Sequence, residues 1–168
     1  MKKPIFTVRE LVVCAMLVAL FVVQAVYLRI YLVPDQIRIS FEFLPLVIAA
    51  YLFGPMPAML MGGAGDFLAN IWRPGYTPFF TIIYAVGGLI LGLLIYNRKK
   101  VWQIILACLT YSLVVDIILS SGVLYLIFNS PQAIIWRVAK CAVMMVAYPL
   151  VAIPLLKFID KVYKRKTV

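Results

Sequence analysis

Histidine is absent from this chain, and acidic residues are scarce: six, against sixteen lysines and arginines. The first absence removes the commonest metal ligand and the commonest general base. Cysteine occurs only as Cys14, Cys108 and Cys141, far apart, each in an apolar run and none in a CxxC pair. The three read as small buried hydrophobes rather than a disulfide or metal framework. There is no glycine-rich phosphate loop and no nucleophile with a base partner. Nothing in the sequence argues for catalysis, for a cofactor of its own, or for ATP hydrolysis by this chain alone.

Apolar residues fill the chain instead. They make up 65% of its 168 residues, and the mean hydropathy is +1.06, which suits a chain whose solvent is lipid. A spanning helix needs about 20 mostly apolar residues. Six candidates follow one another: Val8 to Tyr31, Phe41 to Phe53, Ala58 to Trp72, Phe79 to Tyr96, Val101 to Phe128 and Gln132 to Phe158. The second and third are short for a span and need tilt or flanking residues. Gly54-Pro55-Met56-Pro57, Arg73-Pro74-Gly75-Tyr76-Thr77-Pro78 and Asn129-Ser130-Pro131 punctuate the pattern as turns. The alternation Ile37-Arg38-Ile39-Ser40-Phe41 reads as extended structure in the first outer loop. The N-terminal apolar run lacks a small-residue cleavage site and is expected to be retained. The expectation is an all-α, polytopic membrane protein: one transmembrane substrate-binding domain over residues 1–168.

The net charge of +10 would suggest nucleic acid in a soluble protein. Here it describes topology, and no nucleic-acid partner is expected. Lys2, Lys3 and Arg9 precede the first span, Arg98, Lys99 and Lys100 follow the fourth, and Lys157, Lys161, Lys164, Arg165 and Lys166 follow the sixth. An even number of spans with both termini in the cytoplasm puts all of these on the positive side. Arg29, Arg38 and Arg73 are left outside.

Four ionisable residues fall within the apolar runs: Asp66, Asp116, Arg137 and Lys140. A charge at bilayer depth costs about 2.5–3.5 kcal/mol or more, so it usually faces a cavity or the protein interior. Arg137 and Lys140 lie three apart on the sixth helix and share a face. Such a pair suits an anionic ligand, with the guanidinium gripping a carboxylate through two hydrogen bonds and the ammonium acting as a point charge. Alternatively, Lys140 pairs with Asp116 and Arg137 snorkels outward. Asp66 lies among Gly62, Gly63 and Gly65, with Asn70 one turn on. Carboxylate and carboxamide together could read the amino-pyrimidine edge of a heterocycle such as a pterin. Equally, Asp66 could pair with a base while the glycines merely pack helices. Tyr76, Phe79 and Phe80, with Trp72, form either an interfacial aromatic belt or a lid over a flat ligand. Arg38 is a candidate for the ligand mouth, with Glu42 as its partner. Ala15 and Ala19 form an AxxxA groove in which another membrane helix could pack.

These segments together resemble the S components of energy-coupling factor (ECF) vitamin transporters, and most of all the folate-specific type. The resemblance rests on the alanines at 15 and 19, RISFEFLPLVIAAYLFGP (Arg38 to Pro55), Gly65-Asp66, RPGYTPFF (Arg73 to Phe80), GGLILGLLIY (Gly87 to Tyr96) and WRVAK (Trp136 to Lys140). It implies a six-helix membrane receptor for extracellular folate in a bacterial plasma membrane. Ala15 and Ala19 would dock a transmembrane T component, and two cytoplasmic ATPases would use the ATP. Arg137 and Lys140 would take the ligand's carboxylates, and the outer loops would act as gates. Another anionic vitamin or precursor, such as pantothenate, or an accessory subunit without a ligand, remains open on the residues alone.

Overall fold

The computed structural model describes residues 8–28, 30–33, 37–39, 41–71, 77–96, 101–123 and 131–164. Six helices occur among them. Helix α1 (Val8–Tyr27) is followed by a two-stranded hairpin, β1 (Ile30–Val33) and β2 (Ile37–Ile39). Then come α2 (Phe43–Phe53), α3 (Pro55–Asn70) and α4 (Pro78–Ile95). Helix α5 covers Val101–Val123, and α6 covers Pro131–Lys164. Four of these helices contain a stretch long and apolar enough to cross a membrane: Glu10–Tyr27, Pro78–Ile95, Val101–Val123 and Lys140–Lys161.

The hairpin is the departure from a purely helical chain. The first helix stops at Tyr27 rather than Tyr31, and the next residues pair antiparallel, Ile30 with Ile39, Tyr31 with Arg38 and Val33 with Ile37, around a bulge. Ile30-Tyr31-Leu32-Val33 is rich in β-branched and aromatic residues, and Pro34 biases the residue before it toward extended backbone. Once a partner strand is in reach, the same residues that lengthen an apolar run prefer a ladder. The extended reading of Ile37 to Ile39 agrees with this strand.

Helix α3 begins at Pro55, three residues earlier than the two prolines suggested. Proline is tolerated in a first helical turn, where its missing N–H had no partner to lose. The turn before it depends on Gly54, whose φ of +92° is costly for any residue with a Cβ. At the other end of the chain, α6 continues through Pro149 and Pro154.

Helix α2 is the centre of the bundle. Its 11 residues reach only about 16 Å at 1.5 Å per residue, too short to span alone. Phe43, Pro45, Leu46, Val47, Ala49 and Ala50 are all buried, as expected for a helix that is apolar all round. It packs on α1, α3, α4 and α6, while α3 and α4 form the most extensive pair. Glycines allow that pair to close: a Cβ at Gly62 would meet the Tyr84 carbonyl, and one at Gly88 the Ala58 carbonyl. Large apolar side chains on the outer faces, among them Met16, Ile82, Val146 and Leu150, are exposed, which is where lipid tails belong.

Candidate functional site

Two neighbouring centres of polar side chains lie inside the bundle, one around Asp66 and one around Glu42. In the first, Asp66 on α3 is 2% exposed. Its Oδ1 accepts from Asn70 Nδ2 at 2.7 Å, and its Oδ2 accepts from Thr81 Oγ1 of α4 at 2.8 Å. Asn70 Nδ2 also reaches the Asp66 backbone carbonyl, at 2.9 Å. The one-turn spacing of Asp66 and Asn70 places them together as expected. Thr81 adds the contact that pins α3 to α4.

The second centre begins at Glu42, immediately before α2 and also 2% exposed. Its Oε2 accepts from the Tyr84 hydroxyl of α4 at 2.6 Å. Thr81 and Tyr84 are three apart, so one face of α4 serves both centres. Phe43, next to Glu42, stacks on Tyr148 of α6 at 4.1 Å and 20° and leans on Tyr111 of α5 at 4.9 Å. The Tyr148 hydroxyl points at Asp116 Oδ2, a long contact of 3.5 Å. From α1, Phe21 meets Tyr84 edge to face at 5.6 Å. Every helix therefore contributes to one connected interior of carboxyls, hydroxyls and rings.

Asp116 reaches this interior from a π-helical stretch, Ser112–Leu119, in the middle of α5. Such a stretch adds a residue to the turn, re-aims the side chains beyond it and frequently marks a functional site. Ser120 Oγ donates to the Val115 carbonyl at 2.8 Å, five residues back, and satisfies a carbonyl within the widened turn.

The cationic pair lies further along α6. Lys140 is half-buried; Met144 and Tyr148 follow at four-residue intervals, so the three share a stripe. Eight residues separate Lys140 from Tyr148, about 12 Å of helix. Arg137 is in the same helix, on the turn before Lys140, with its side chain outside the described residues. Arg38 sits in β2 opposite Tyr31, its side chain likewise not described, and Trp72, Arg73 and Tyr76 also lie outside the described residues. Phe79 is exposed, whereas Phe80 packs on the core. Ala15 and Ala19 are both exposed on α1, beside Met16 and Leu20.

Sequence reasoning missed the tyrosines and Thr81. The available signal was chemical: a hydroxyl inside an apolar run needs a partner, and here Thr81, Tyr84 and Tyr148 each point at a carboxyl oxygen.

Residues 9–160 match the model of a protein family described as "ECF transporter, substrate-specific component". The chain belongs to this family. As an S component it is the substrate-binding part of a transporter and a multi-pass membrane protein. It is 28% identical over 130 residues to "Folate transporter FolT" of Clostridium novyi (strain NT), covering 74% of this chain and 76% of that protein. It shares its fold with a crystal structure of FolT bound with folic acid, with a TM-score of 0.80 at 24% identity, over 89% of this chain and 93% of that one.

Removing the Thr81 hydroxyl tests the first centre. Interhelical hydrogen bonds in membranes average about 0.6 kcal/mol and reach about 1.7, and a bond to a carboxylate belongs at the upper end. Thr81→Val should destabilise the detergent-purified protein by about 1–2 kcal/mol, read as a lower thermal midpoint. An unchanged midpoint would show that this bond does not hold α3 to α4.

Proposed function

We propose that this chain is the folate receptor of an ECF uptake transporter, binding extracellular folate and delivering it inward with an ATP-driven partner module. The likeness to a folate transporter over three quarters of both chains carries the reading, and the fold shared with a folic acid complex supports it. The interior offers matching chemistry. Folate has a flat heterocycle at one end and two carboxylates at the other. Along α6 the chain sets a cationic turn, Arg137 and Lys140, apart from an aromatic and carboxyl centre around Tyr148. The separation is about 12–16 Å at 1.5 Å per residue, comparable with an extended pterin, aminobenzoyl and glutamyl chain.

In this reading Arg137 and Lys140 hold the glutamyl carboxylates, and Arg38, Tyr76, Phe79 and Phe80 belong to the outer loops that cover the ligand. The heterocycle is read by a buried carboxyl, for which Asp66 (with Asn70) and Glu42 are the candidates. The chain crosses the membrane six times with both termini in the cytoplasm, α2 and α3 being short or tilted crossings. Ala15 and Ala19, small and outward-facing on α1, form the surface on which a transmembrane T component packs. Two cytoplasmic ATPases complete the module and consume the ATP.

Two experiments test these assignments. Arg137→Ala should weaken folic acid binding by about 2 kcal/mol or more, the cost of truncating one partner of a buried charge pair, or about thirtyfold in Kd. Unchanged affinity in a calorimetric titration would remove Arg137 from the site. Ala15→Trp combined with Ala19→Trp should abolish folate uptake in cells that contain the partner module, yet leave binding to the isolated protein intact. Continued uptake would refute docking through α1.

A further inference from the structure

We propose that the outward face of α6 binds an anionic phospholipid of the phosphatidylglycerol type, with its phosphate on Lys157 and Lys161 and an acyl chain along Val146, Leu150 and Pro154. These five residues recur every three or four positions, so they lie on one face of the helix, and all five are exposed. They belong to the last stretch long and apolar enough to span, Lys140–Lys161. The length of the apolar part matches one leaflet. Val146 to Lys157 covers about 16 Å of helix at 1.5 Å per residue, and half of a hydrocarbon core is about 15 Å. An acyl chain lying along this face therefore ends where the two lysines begin.

The charges at this end complement a phosphodiester. Lysines one turn apart can bring two ammonium groups to the same anion. Asp160, the acid between them in sequence, is half-buried and accepts from the Tyr51 hydroxyl of α2 at 3.3 Å. That bond ties the end of α6 to α2, so the lysines stand on a tethered stretch of helix. The headgroup level is marked independently by α5. The Tyr111 and Tyr148 rings lie 6.1 Å apart, and α5 and α6 are consecutive spans that run in opposite directions. Trp102 precedes Tyr111 by as many residues as Lys157 follows Tyr148, so the two lie at the same depth. Trp102 is exposed, and tryptophan favours the boundary between acyl chains and headgroups. Phe158, next to Lys157, is exposed as well and offers further apolar surface to the lipid. This inference requires only that α6 crosses the bilayer and is independent of the folate reading.

The test is native mass spectrometry of the detergent-purified full chain, equilibrated with equal amounts of phosphatidylglycerol and phosphatidylcholine of the same acyl composition. A basic residue near an anionic lipid favours it about fivefold, so the wild type should retain phosphatidylglycerol about twenty-five-fold over phosphatidylcholine. Lys157→Gln with Lys161→Gln should bring that ratio close to one. Lys99→Gln with Lys100→Gln removes the same charge elsewhere and should leave the ratio unchanged. A wild type that retains the two lipids equally would overturn the proposal, whatever the variants do. An equal loss in both double variants would also overturn it, because the lipid would then be answering to net charge rather than to a site on α6. Displacement of phosphatidylglycerol by millimolar glycerol 3-phosphate would show that the acyl chain adds nothing, and would contradict a lipid site. Should the double variant on α6 fail to purify as a monodisperse protein, Lys157→Gln alone decides, and a wild-type ratio in that variant overturns the proposal equally.

Discussion

No water is available in the hydrocarbon core, so polar groups carried there need partners within the protein. Asp66, Glu42 and Asp116 meet this constraint in one way: each faces a hydroxyl from another helix, on Thr81, Tyr84 and Tyr148. Each contact is modest in energy. Their larger consequence is registration, because sliding a helix by one turn would take the interhelical hydroxyl away from its acid. Helix α4 supplies two of these hydroxyls, from Thr81 and Tyr84, and so locks α3 and the start of α2 to a single face.

Packing explains why α4 can do this. With lipid on the outside, apolar burial gives helices little reason to associate, and close approach through small residues takes over. Gly62 and Gly88 bring the backbones of α3 and α4 together, which places Thr81 within reach of Asp66. The short α2 gives up spanning length for full burial, and its entrance sets Glu42 and Phe43 among residues of α4, α5 and α6. The π-helical stretch in α5 sets Asp116 at the same interior.

Much of this architecture was legible because it is local. Apolar runs, basic clusters and Pro-Gly turns mark six helices, and a spacing of four brings Asn70 to Asp66. Boundaries were less legible where one residue set suits two structures. Ile30 to Val33 extends an apolar run yet pairs as a strand, and Pro55 reads as a stop yet starts a helix. The second centre was hidden because its contacts are long-range. Glu42 meets Tyr84 from 42 positions away, and no periodicity records such a pairing. Glu42 lies buried with the Tyr84 hydroxyl as a donor, while the side chain of Arg38, its expected partner, is outside the described residues.

The central claim is that this interior holds folate, with a carboxyl at the heterocycle and a cationic turn at the glutamyl end. The most direct measurement is the ultraviolet spectrum and mass of small molecules released when the detergent-purified protein is denatured. The account predicts a pterin-type absorbance band and the mass of a folate. The mass of a different vitamin, or an empty protein that also fails to take up added folic acid, would contradict it.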